Sequence, residues 1–143
     1  MPLNGYSIGR DLTLNVVTAN GVLQITGLTS FKAKQETTEE TIKRLDGVID
    51  RLRFYEGWTG TFMLERRDST VDRYFCQLES DFFSGLTEGE VTITETITER
   101  NGALSQFRYR RVLLKLDDAG AWEGDKSVKR TMSFIASRKL VIT

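Results

Sequence analysis

Residues Val91–Thr98 alternate strictly. Val91, Ile93, Glu95 and Ile97 fall on one side, continued by Glu99, and Thr92, Thr94, Thr96 and Thr98 fall on the other. A period of two puts successive side chains on opposite faces of a β-strand and does not fit a helix. Asn101-Gly102 follows at once, the preferred pair for a two-residue type I′ turn. Counting back from that turn pairs Glu99 with Leu104, Ile97 with Gln106, Glu95 with Arg108 and Val91 with Val112. Each arm runs about 10 residues, so the ribbon is roughly 35 Å long. Without Pro or Lys along Val91–Ile97, such a ribbon is an exposed-edge hazard for a monomer. Two readings follow: an ordinary strand pair within one sandwich, or an edge completed by other copies of the chain.

The remaining elements are mostly strands. Arg10–Thr18 alternates, Asn20-Gly21 reads as a turn, and Val22–Glu36 completes a first hairpin with Gly27 breaking its alternation. Glu36–Tyr55 is ambiguous. Ile42, Leu45, Ile49 and Leu52 fit helical spacing, but Gly47 and the β-branched residues around it oppose a helix. The preferred reading is a hairpin turning at Asp46-Gly47, with Lys43 opposite Asp50 and Glu40 opposite Arg53. Gly57-Trp58-Thr59-Gly60 reads as a break before a strand over Thr61–Arg67. Asp68-Ser69-Thr70 opens a helix: Asp68 or Ser69 can accept the free amides of the first turn, and Ser69 with Asp72 gives a shortened capping box. Its apolar stripe is Val71, Phe75, Leu78 and Phe82, and Gly85 sits at its C-terminal cap. Lys126–Thr143 is a last strand region, with Val128, Arg130, Met132, Phe134, Ala136 and Arg138 on one face.

Much chemistry is excluded by composition. There is no histidine, so the commonest general base is missing and Ser-His-Asp and Cys-His arrangements cannot form. The one cysteine, Cys76, can form no internal disulfide and no Cys/His zinc site; it reads as a packed or half-exposed thiol in the helix. No phosphate-binding glycine loop, dinucleotide fingerprint or HExxH occurs. Asp117, Asp118, Glu123 and Asp125 do not have EF-hand spacing and read as a solvated acidic turn. No carboxylate pair stands out for acid–base work. No enzyme activity, cofactor or metal is therefore expected. No apolar run approaches the ~20 residues of a membrane span, and Met1–Gly5 does not read as a secretory signal. A reducing, cytoplasmic origin is the default expectation. The 143 residues suit a single domain, 1–143.

Charge is balanced overall, 20 basic against 20 acidic side chains, but not along the chain. Residues 65–99 carry nine acids and three bases, Arg100–Lys115 five bases and no acid, Asp117–Asp125 four acids and no base, and Lys126 onward five bases and no acid. Such blocks either steer one copy onto another or are solvated strand faces. Arg108, Arg110 and Arg111 interleave with Phe107 and Tyr109 in a manner that suits single-stranded nucleic acid, although facing acids such as Glu95 would pair them.

Several segments together resemble tail tube proteins of contractile-tailed bacteriophages. They are Ile42-Lys43-Arg44-Leu45-Asp46-Gly47, Gly57-Trp58-Thr59-Gly60-Thr61-Phe62 with Leu64-Glu65-Arg66, Thr94-Glu95-Thr96-Ile97-Thr98-Glu99 and Ser105-Gln106-Phe107-Arg108-Tyr109. Val112–Gly120 and Ser133–Arg138 complete the likeness, which covers nearly the whole chain.

The resemblance implies a mainly β fold with one α-helix, two packed antiparallel sheets forming a small barrel or sandwich. It implies hexameric rings stacked into the inner tail tube, with sheath, baseplate and tape measure proteins as partners. DNA would pass through the lumen without sequence-specific binding. The expected location is the virion tail, assembled in the host cytoplasm. Residues 37–55 would protrude as a hairpin or loop to neighbouring subunits, which makes Glu40, Lys43, Arg44, Asp46, Asp50 and Arg53 interface candidates. An acidic lining keeps a polyanion from sticking, so Glu90, Glu95 and Glu99 are lumen candidates by alternation. Ring–ring contact would use the hairpin tip and the N-terminal segment. Related tubes occur in tailocins and type VI secretion machines. The alternatives are a tube initiator near the baseplate and a small β-barrel nucleic-acid-binding module.

Overall fold

A computed structural model describes residues 4–23, 25 and 27–142. The first three residues of the expected N-terminal contact lie outside the described residues. Eight strands and one α-helix are found among those described: β1 (Leu12–Thr18), β2 (Gly21–Leu23), β3 (Leu28–Lys43), β4 (Ile49–Glu65), α1 (Thr70–Phe83), β5 (Val91–Thr98), β6 (Leu104–Asp118), β7 (Lys129–Ala136) and β8 (Arg138–Val141). All pairings are antiparallel, in the order β2-β1-β5-β6-β7-β4-β3, with β8 also on β6. The chain is thus mainly β with one helix, as the sequence implies. Its strands form one continuous hydrogen-bonded path, and the path is open between its ends.

The sheet is strongly rolled. β3 and β6 are three strands apart, about 14 Å in a flat sheet. Yet the Phe31 and Tyr109 rings lie 6.5 Å apart, and Phe31 stacks on Phe134 at 5.9 Å. The core inside the roll combines Val16, Ile93, Tyr109 and Val112 with Phe62, Leu64, Leu114, Met132, Phe134 and Ala136. The face of β5 that carries Val91, Ile93 and Glu95 is therefore its buried face.

β6 connects the two regions through a bulge. On β5 two steps separate Val91 from Ile93, while their partners Val112 and Tyr109 are three apart. Arg111 takes up the extra residue at φ 54°, a left-handed conformation rare for a residue with a Cβ. Tyr109 and Val112 can then both face the core, with Arg110 and Arg111 exposed between them.

Both main hairpins turn where expected, but in a different way. Asp46 and Asn101 keep negative φ, so neither turn is type I′, which needs positive φ at both central residues. Each loop holds three residues. The Asp46 and Asn101 side chains accept from the amides of Val48 and Ala103, and only Gly47 and Gly102 are left-handed. The extra loop residue slips both registers by one. Ile42 pairs with Asp50, Glu40 with Leu52, Ile97 with Ser105 and Glu95 with Phe107. Val91 still meets Val112, because the Arg111 bulge restores the count.

Three further expectations are corrected. The glycines of Gly57–Gly60 lie inside β4 and do not interrupt it. Gly57, at φ 101°, serves a bulge opposite Glu36 and Thr37, and a Cβ on Gly60 would strike the Phe134 ring. Of the two residues expected to cap the helix, Asp68 accepts from the Thr70 amide at 3.1 Å, whereas the Ser69 side chain makes no capping bond and Asp72 accepts from Arg66 at 3.2 Å and from Arg130. The helix ends in the expected glycine cap, with the Leu86 amide on the Asp81 carbonyl and the Gly85 amide on Phe82. Only its first half packs, however: Val71 is buried, while Phe82 is 71% exposed and Cys76 is exposed.

Candidate assembly surface

β3 and β4 extend well beyond the rest of the sheet. β7 pairs with β4 only from Trp58 onward, so Glu36–Lys43 and Ile49–Gly57 pair with each other alone. Among the described residues both outer edges of this ribbon are unpaired. Every residue from Thr37 to Glu56 is exposed. The ribbon projects roughly 25–30 Å at 3.4 Å per residue. It displays Ile42, Leu45, Val48, Ile49, Leu52, Phe54 and Tyr55 to solvent. A two-stranded ribbon of this kind has marginal stability by itself and is a template for further pairing.

The register sorts the ribbon's side chains. Residues directly opposite each other share a face. One face carries Thr38, Glu40, Ile42, Asp50, Leu52 and Phe54: apolar, with two acids and no base. The other carries Thr37, Glu39, Thr41, Lys43, Ile49, Arg51, Arg53 and Tyr55, with three bases and one acid. The expected cross-strand pairs Lys43–Asp50 and Glu40–Arg53 do not form, because the one-residue slip puts the members of each on opposite faces. Arg44 and Asp46 sit in the turn, where they pair at 2.8 Å, and Arg44 also reaches Asp50 at 3.7 Å. Sequence reasoning did not select Arg51, Leu52, Phe54 or Tyr55. The β-branched and aromatic residues after Gly47, Val48, Ile49, Phe54 and Tyr55, were the signal available for them.

The three acids expected on a lumen wall have different fates. Glu95 is 8% exposed; it accepts from the Tyr109 hydroxyl at 3.0 Å and pairs with Lys139 at 3.5 Å. Its place on the buried face of β5 removes it from the lumen set. Glu90 is exposed and pairs with Arg110 at 3.1 Å. Glu99 is partly exposed and makes no ion pair among the described residues. The Lys139 ammonium is held over the rings of Trp58, Phe107 and Tyr109 at 4.9, 4.8 and 5.2 Å, which fixes β8 against the body. Burial, and then the Glu95 charge, raise the Tyr109 pKa well above the usual phenol value.

A cleft of ≈ 650 Å³ separates the two open ends of the sheet. Leu12–Leu14 of β1 and Leu28–Phe31 of β3 line it. Among the described residues β2 pairs β1 only from Val16 onward and β3 pairs only β4, so both margins present unpaired backbone there. No cluster of metal-ligating side chains occurs among the described residues, and no helix there is long and apolar enough to cross a membrane.

No family description and no curated protein matches the sequence. Solved structures do. A chain of the PVC sheath–tube complex, an extracellular contractile injection system in its extended state, is similar at TM-score 0.63 and 10% identity over 91% of this chain and 88% of that one. The tube-terminating cap of the anti-feeding prophage gives 0.61 at 8% identity over 100% and 95%. The SPP1 tail tube gives 0.57 at 10% identity over 94% and 78%. These neighbours are parts of a sheath–tube complex, a tube cap and a tail tube. The chain therefore has the fold of tail tube and contractile-injection tube proteins, a likeness that spans almost its whole length.

Proposed function

We propose that the chain is a non-enzymatic tube subunit that assembles into hexameric rings stacked as the inner tube of a tail. One observation carries this reading: the Thr37–Glu56 ribbon leaves two unpaired edges and seven large apolar side chains in water. Uncovered, that surface is a liability; covered by neighbouring copies, it becomes an interface. Glu40, Lys43, Arg44, Asp46, Asp50 and Arg53 contribute its polar contacts, with Leu52 and Phe54 as apolar anchors. The open margins of β1 and β3 gain partners in the same way, so that strands of adjacent subunits continue into one barrel around a channel. Glu99 remains available to that lining. The tube passes DNA without binding its sequence, and sheath and baseplate proteins surround it in the tail.

The likeness to a tube-terminating cap gives a second reading, a subunit at a tube end. The two differ in growth. A repeating subunit elongates with concentration, whereas an end subunit stops at one ring.

Negative-stain microscopy of the purified chain over a concentration series is the test. Six-fold rings that lengthen into tubes support the repeating subunit. A particle that stays near 16.3 kDa at every concentration and binds an oligonucleotide with steep salt dependence overturns it.

A further inference from the structure

The β6 bulge gathers arginines on the outside of the sheet. Arg110 and Arg138 are directly opposite across β6 and β8, and Arg108 lies two residues before Arg110 on the same face. Arg111 is exposed beside them. Like charges directly across a strand pair are destabilising. Glu90 offsets one of them through Arg110. Arg108, Arg111 and Arg138 meet no carboxylate among the described residues. The expectation that the arginines of this block are already paired therefore holds for Arg110 alone. Four arginines against one glutamate leave three uncompensated positive charges.

Arg111 also occupies a left-handed backbone position where glycine is favoured, at a cost of about 1 kcal/mol. A glycine would form the same bulge without that cost but would remove the charge.

The opposite charge lies at the far end of the same strand. Asp117 and Asp118 end β6, and Glu123 and Asp125 follow in the exposed turn. Lys126 offsets Glu123 at 3.3 Å, which leaves three uncompensated negative charges. The stretch from Arg110 to Asp117 spans roughly 20 Å or more of strand, and at that separation one copy cannot pair its own patch with its own turn.

From this the geometry points to a head-to-tail contact between copies of this chain, in which the arginine patch of one subunit receives the Asp117–Asp125 turn of the next. Because the two surfaces differ, the contact is heterologous and propagates, closing as a ring or extending as a stack. It rests on the tube-subunit reading above and assigns a second interface, separate from the ribbon.

The test is charge-swap complementation at low salt. One variant is Arg111→Glu with Arg138→Glu, and the other is Glu123→Lys with Asp125→Lys. All four side chains are exposed, and circular dichroism checks that both variants keep the native fold. Each variant alone repels its own kind, so its assembly midpoint should rise about tenfold or more, an effect that salt reduces. An equal mixture can alternate, each glutamate patch against a lysine turn and each arginine patch against an acidic turn, and should assemble within about threefold of the wild type. Arg111→Gly should also weaken assembly while leaving the fold intact. If the wild type assembles and both charge variants do so equally well alone, this contact is wrong and the tube reading stands. If folded variants fail alone and the mixture fails as well, the pairing of patch with turn is wrong. A wild type that never assembles overturns both.

Discussion

The Tyr109 hydroxyl donates to the Glu95 carboxylate at 3.0 Å inside the core, and Lys139 completes the group from β8. A tyrosine beside a carboxylate in a buried site resists ionisation, because burial and then the negative neighbour both disfavour the phenolate. Its folded pKa lies above its unfolded value of about 10. The stability it contributes is fully present below that value and is lost as pH rises beyond it. Thermal unfolding between pH 8 and 11 should show a decline above pH 10 that Tyr109→Phe reduces. The same variant should lose about 1–2 kcal/mol at neutral pH, since Glu95 loses a buried donor.

Asp72 holds α1 to the body through Arg130, which is 3% exposed, and through Arg66 at 3.2 Å. The Arg130 hydrogen bond is the largest cause that keeps the Asp72 carboxyl below the usual carboxylate range, with the arginine charges adding to it. Because the folded pKa is depressed, this contribution is present above about pH 3.9 and is lost as pH falls through the lower folded value. Asp72→Asn should flatten the acid limb of the stability profile. It should also cost about 2–3 kcal/mol at pH 7, because Arg130 loses its carboxylate.

Gly57 marks the point where the ribbon leaves the body. It is left-handed at φ 101°, and an added Cβ would collide with the Ala136 carbonyl. Gly57→Ala should destabilise the chain by about 2 kcal/mol or more, from backbone strain and overpacking together. Denaturant unfolding reads this directly. Gly47→Ala, where a Cβ would meet nothing within 4 Å, should cost less.

Leu52 and Phe54 share the acidic face of the ribbon and are solvent-exposed in the subunit. Leu52→Arg with Phe54→Arg should leave the melting temperature of the isolated subunit nearly unchanged, as surface substitutions usually do. Sedimentation should nevertheless show assembly weakened by at least about tenfold, because buried apolar anchors dominate interfaces.

The sequence made the strands legible wherever one face is buried. Val91, Ile93 and Glu95 alternate because their face lines the core, and Val128–Ala136 alternates for the same reason. Registers were not legible, because they depend on loop length. Asp46-Gly47 and Asn101-Gly102 suit two kinds of turn, and only the side-chain bonds to Val48 and Ala103 select the three-residue loop. That one residue separated Lys43 from Asp50 and moved Ser105 into the place given to Gln106 opposite Ile97. The Arg111 bulge was hidden because no glycine marks it. The candidate interface was half visible: its charges stood out in the sequence, but its apolar anchors read equally well as core. Glu95 was misplaced because a carboxylate on an alternating strand looks solvated unless its buried partners, Tyr109 and Lys139, are known.

The central claim is that Thr37–Glu56 is completed by other copies of the chain, and amide hydrogen exchange over that segment tests it most directly. In dilute solution the outward-facing amides of β3 and β4 should exchange rapidly, since no strand covers them. In sedimented assemblies the same amides should be protected by at least about a hundredfold, as for strands paired on both sides. Exchange that is equally fast in the assembled form, or a ribbon already protected in a monomer that never assembles, would contradict the account.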